Sequence, residues 1–78
     1  MLNFDADDGH VRQRMAERNV SETDVEWVVA GGDFEVQSNG RRKYVRRRGA
    51  DLYFVITEEN GVDVVTVWIR GPADTGVR

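Results

Sequence analysis

The sequence predicts an α+β domain: two N-terminal helices packed on one face of a four-stranded antiparallel meander, in the order ααββββ. Three observations predict it. Apolar residues recur at helical spacing as far as Gly31-Gly32 and at a period of two thereafter. Asn39-Gly40 and Asn60-Gly61 are strong hairpin signals, with a further turn at Gly49-Ala50 between them. Seventy-eight residues make one domain with one small core, here 1–78, with an ordered core over 4–70.

The stretch "DGHVRQRMAERN" reads as a short helix. Asp7 or Asp8 caps it, Val11 and Met15 share a face at i, i+4, and Asn19 is a left-handed stop. "VSETDVEWVVAGG" restarts at once. Ser21 and Asp24 resemble a capping box, with Asp in place of the usual Glu or Gln. Val25, Val28 and Val29 form the buried stripe, Trp27 beside it packs between the helices, and Gly31-Gly32 ends the segment. "DFEVQS", "RRKYVRRR", "DLYFVITEE" and "VDVVTVWIR" then read as strands. The tail "RGPADTGVR", rich in Gly and small polar residues, is expected to fray over 71–78.

Turn lengths set the expected faces. A two-residue loop at Asn39-Gly40 places Phe34 opposite Val45, Val36 opposite Lys43 and Glu35 opposite Tyr44. Gly49-Ala50 places Phe54 opposite Val45 and Tyr53 opposite Arg46, and a four-residue loop from Arg48 to Asp51 would keep those pairs. Asn60-Gly61 places Val65, Val67 and Ile69 opposite Ile56, Phe54 and Leu52. The helix-covered face is then Phe34, Val36, Val45, Leu52, Phe54, Ile56 and the three β-branched residues of the last strand. The expected open face carries Arg42, Tyr44, Arg46, Arg48, Tyr53 and Trp68, with Asp33 and Glu35 near enough to neutralise Arg46 and cap Tyr44.

Charge is unevenly distributed. The net charge is -3 and the pI about 5.0, yet six of the eight residues from Arg41 to Arg48 are basic. Over a Debye length of about 8–10 Å such a local field outweighs the sum. There is no cysteine and one histidine, which excludes a disulfide framework and Cys- or His-rich metal sites. Asp5, Asp7 and Asp8 lack the spacing of a calcium loop, and "GRRKY" lacks that of a phosphate loop, so neither a metal nor a cofactor is expected. The start "MLNFDADDGH" has no signal-peptide pattern, and no apolar run approaches the ~20 residues of a membrane span. The expectation is a soluble cytoplasmic protein without a membrane partner.

An open sheet face bearing arginines and aromatic rings suits single-stranded RNA, because rings stack bases and guanidiniums contact phosphates. The alternative is an acidic protein partner or a second copy of the chain. Arg and aromatic pairs also occur on exposed strands simply because they stabilise sheets.

"HVRQRMAERNVSETDVEWVVAGG", followed by "GRRKYV" and the closing "VVTVWI", resembles an uncharacterised family of small bacterial domains near the BrnT and RelE-like toxins, over residues 10–69. The resemblance implies the two-helix, four-strand fold, metal-independent RNA cleavage and neutralisation by a protein antitoxin. It implies a base, an acid and cations around the developing phosphorane. On these residues, Arg46 and Arg48 bind the phosphate, Tyr44 or Tyr53 moves protons, and His10 is a base if it reaches the sheet. Arg42, Tyr53 and Trp68 complete the substrate-binding set. His10 at a helix start also suits packing or capping.

Overall fold

A computed structural model describes residues 2–5 and 9–71. The order is α1 (His10–Arg18), α2 (Glu22–Gly31), β1 (Asp33–Val36), β2 (Arg42–Arg48), β3 (Asp51–Thr57) and β4 (Val64–Arg70). The strands form one antiparallel sheet in the order β1-β2-β3-β4. The ααββββ expectation is met. The expected caps Asp7 and Asp8, and the tail from residue 72 onward, lie outside the described residues.

The helix ends follow local chemistry. Asn19 adopts the left-handed conformation (φ 59°), and the Val20 N–H donates to the Met15 carbonyl at 2.8 Å, which closes α1. At the start of α2 the Ser21 hydroxyl accepts from the Asp24 N–H, and the Asp24 carboxylate accepts from the Ser21 N–H, both at 3.0 Å. This capping box forms with the shorter Asp. Ser21→Ala should cost about 1 kcal/mol, read by urea unfolding; a change below ~0.3 kcal/mol would deny the cap its role.

The helices lie on one face of the sheet, α1 against β4 and α2 against β2 and β3. Val11, Met15, Val25 and Val28 meet Tyr44, Val55, Val64 and Val67 in the core. Thr57 is fully buried there, its hydroxyl donating to the Glu58 carbonyl at 3.0 Å. Arg12 ties the N-terminal segment to α2, meeting Asp5 and Glu22 at 2.7 Å each, and passes over the Phe4 ring.

The expected faces of β2 and β3 are reversed, while Val67 and Ile69 of β4 lie under the helices and Trp68 on the open side as expected. The β2–β3 register is as expected, with Val45 opposite Phe54 and Arg46 opposite Tyr53. The other two hairpins differ by one residue. The β1–β2 loop has three residues, not two: Gln37 pairs with Arg41 and Gly40 takes φ 90°. Phe34 therefore faces Tyr44, and Val36 faces Arg42. At β3–β4 the pairing leaves the turn as expected, with Thr57 opposite Val64, but Val65 is then an extra residue. This bulge sets Phe54 opposite Trp68, and Val55 opposite Val67. A one-residue shift transfers every following side chain to the other face. Val67 and Ile69 thus join Tyr44, Tyr53 and Val55 beneath the helices. Val45, Leu52, Phe54, Ile56 and Trp68 take the face that no described element covers. Phe34 and Val36, expected to be buried, are 52% and 59% exposed, because β1 lies beyond the reach of the helices.

Candidate functional site

The residues that gather are on the helix side, where β2 and β3 pass under α2. Register sets Arg46 beside Tyr53, and Arg48 follows two residues along the same face. From above, α2 lowers Trp27 and Asp24, which are three residues apart and so share a helix face. Trp27 meets Tyr53 edge to face, with centroids 5.8 Å apart. The Arg46 and Arg48 guanidiniums lie 4.2 and 4.3 Å from the Trp27 ring centre, and Arg48 lies 4.8 Å from that of Tyr53.

Hydrogen bonds hold this cluster. Arg46 donates to the Trp27 carbonyl at 2.7 Å. Its guanidinium lies against Gly31, in space that a Cβ would occupy. α2 has no basic residue of its own in its last turn, so β2 supplies the cation that the helix C-terminus favours. Arg48 donates to Asp24 at 3.1 Å and to the Tyr53 hydroxyl at 3.4 Å. The Arg48 and Asp24 side chains are 46% and 22% exposed, so solvent reaches the outer rim.

The Ser21 backbone N–H, and after it the Arg48 guanidinium, hold the Asp24 carboxyl below its ordinary value of 3.8. A carboxyl whose pKa is depressed by folding stabilises the fold above its unfolded pKa, and that contribution is lost as pH falls through the folded value. The stability gap between wild type and Asp24→Asn should therefore be open at pH 7 and close below about pH 4. Urea unfolding at pH 7 and pH 3 reads it; a gap that stays constant would contradict this linkage.

The predicted site residues fall in four places. Arg46, Arg48 and Tyr53 come together. Tyr44 is buried in the core, 7% exposed, its ring 5.4 Å from that of Phe34. Arg42 lies over the exposed Phe34 ring at 5.4 Å, toward β1. Trp68 is on the opposite side of the sheet, stacked on Phe54 at 4.8 Å and 2°. His10 is exposed at the start of α1, over β4 rather than β2. Asp33 and Glu35 do not neutralise Arg46 or cap Tyr44; they lie opposite Val45 and Lys43, on the uncovered side.

The basic strand is thus shared between two faces and a turn. Arg41 meets Glu58 at 3.3 Å through two hydrogen bonds, and Lys43 lies 5.5 Å over Phe54. Arg46 and Arg48 clamp α2. Trp27 and Asp24 are functional candidates missed on the sequence, where Trp27 was assigned between the helices and Asp24 only to the cap. Their i, i+3 spacing was the available signal. Among the described residues no group of three or more His, Cys, Asp or Glu is placed to hold a metal ion, and no helix is long and apolar enough to cross a membrane.

A family model described as Domain of unknown function (DUF4258) matches residues 8–72. No curated protein and no solved structure matches the chain.

Proposed function

We propose that this chain, which belongs to the DUF4258 family, is an RNA-acting domain of the BrnT/RelE kind, a metal-independent ribonuclease held in check by a protein antitoxin. One observation carries the reading: Arg46, Arg48 and Tyr53 converge at a single half-exposed point. Arg48 meets the Asp24 carboxylate and Arg46 the neutral Trp27 carbonyl, which leaves positive charge for a phosphate.

In this reading the ribose 2′-oxygen attacks the adjacent phosphorus. The 2′-oxygen–phosphorus bond forms and the phosphorus–5′-oxygen bond breaks, leaving a cyclic phosphate and a free 5′-hydroxyl. Arg46 and Arg48 stabilise the added charge on the phosphorane oxygens. The Tyr53 hydroxyl donates a proton to the departing 5′-oxygen. Asp24, the carboxylate beside Arg48, takes the 2′-hydroxyl proton.

Tyr53→Phe tests the assignment because it keeps the ring against Trp27 and removes only the hydroxyl. End-labelled single-stranded RNA in EDTA should be cut by wild type to a cyclic phosphate, and about 100-fold more slowly by the variant, with its melting temperature within a few degrees of wild type. Undiminished cleavage by the variant would remove Tyr53 from the chemistry, and no cleavage by wild type would remove the reading. A second reading, docking of a protein without chemistry, is favoured by a different observation: the other face of the sheet carries Leu52 and the stacked Phe54 and Trp68 with no described element over them.

A further inference from the structure

The uncovered face of the sheet is the largest feature that the RNA reading leaves unused. Its centre is Val45, Leu52, Phe54 and Trp68, none of which belongs to the core under the helices, while Ile56 on the same side is buried, 6% exposed. Phe54 and Trp68 stand in parallel on it, and Lys43 shields one flank of Phe54. Four strands about 4.8 Å apart and about seven residues long, at about 3.3 Å per residue, give a face of about 400 Å².

We infer that this face binds a second copy of the same chain, giving a two-fold dimer in which two sheets pack face to face as a sandwich. Charge placement selects the occupant. Carboxylates stand at one margin of the face, Asp33 and Glu35 on β1, with Lys43 and Arg47 beside them on β2, and Arg70 on β4 is the cation at the opposite margin. A two-fold axis running along the strands lays β1 of one copy over β4 of the other and preserves the levels along them. Asp33, level with Trp68, then meets the partner's indole and, two residues along, its guanidinium. The same axis lays β2 over β3, so the large Phe54 ring meets the small Val45 in both directions. An axis across the strands would instead set β1 on β1 and oppose like carboxylates. The charges therefore favour self-association in one orientation.

About 400 Å² of projected face per copy is smaller than a standard interface, which places the dimer among small, weak ones.

Sedimentation velocity of the full chain tests this from about 1 to about 200 µM, the range that brackets a micromolar Kd. The mass should rise with concentration from the 8.9 kDa monomer toward twice that value. Trp68→Glu, on the uncovered face, should stay monomeric throughout with an unchanged far-ultraviolet circular dichroism spectrum. Asp33→Arg and Arg70→Glu should each weaken the dimer about tenfold, and the two together should restore it. A wild type monomeric at the highest concentration, a dimer that survives Trp68→Glu, or a reversed pair that fails to restore association would each overturn the proposal. RNA retardation abolished by Trp68→Glu in a monomeric wild type would assign the face to nucleic acid instead.

Discussion

Trp27→Ala should lower the melting temperature by about 15 °C, from a loss of about 3 kcal/mol at about 4–8 °C per kcal/mol for a domain of this size. The effect should be large because Trp27 is the point at which α2 is joined to the sheet. Its ring touches Tyr53 on β3 and the guanidiniums of Arg46 and Arg48 on β2, and its carbonyl receives Arg46. Removing the indole leaves a gap beneath α2 and frees two cations from their ring. Trp27→Phe should recover most of the loss, since a smaller ring still faces the guanidiniums. Thermal unfolding followed by circular dichroism checks both variants. A drop below about 5 °C for the alanine variant would mean that the valine stripe alone holds α2.

Gly32→Ala should cost about 3 kcal/mol for a single added methyl group, at the upper end of overpacking effects. Backbone conformation is not the cause, since Gly32 has φ -84° and ψ 167°, open to any residue. The cause is space. A Cβ would lie 2.6 Å from the Val28 carbonyl oxygen and 2.7 Å from that of Val45. Both are backbone atoms, one in the last turns of α2 and one in β2, so neither can rotate away. The chain turns from helix to sheet here with its N–H donating to Val28 at 2.7 Å. Helix and strand would have to separate, disturbing the same interface that Trp27 and Arg46 hold. Guanidinium unfolding measures the loss; a variant within about 0.5 kcal/mol of wild type would show that α2 can shift freely.

The elements governed by local chemistry were legible in the sequence. Asn19 as a left-handed stop, the Ser21–Asp24 box and the Gly49-Ala50 turn each act within a few residues, and each is where the residues indicate. The neighbours Arg46, Arg48 and Tyr53 follow from the one register that was correctly derived. Which strand residues face the helices was not legible, because two single-residue irregularities decide the pairing. Ser38 enters the Asn39-Gly40 loop, and Val65 bulges from β4. Neither interrupts the pattern of apolar residues. The run Val64, Val65, Val67, Trp68, Ile69 offers a bulky apolar side chain to both faces, so a shift leaves no visible mark on it. β2 and β3 likewise have apolar or aromatic residues on both sides. Which side the helices cover is decided by the bulge, and with it which side carries Trp68. Trp27 and Asp24 escape the sequence for the same reason: the strand face opposite them reads as open.

The two tryptophans now stand on opposite sides of the sheet, Trp27 in the Arg46–Arg48–Tyr53 cluster and Trp68 on the uncovered face. Their two indole N–H signals, assigned with Trp27→Phe and Trp68→Phe, report each surface separately in one nitrogen–proton correlation spectrum. The most direct measurement is to titrate dilute protein with a short single-stranded RNA at low salt. RNA should move the Trp27 signal and leave that of Trp68, while concentrating the protein alone should do the reverse. Movement of Trp68 by RNA with Trp27 unchanged would contradict the assignment of the two faces, and no movement of either would contradict RNA binding.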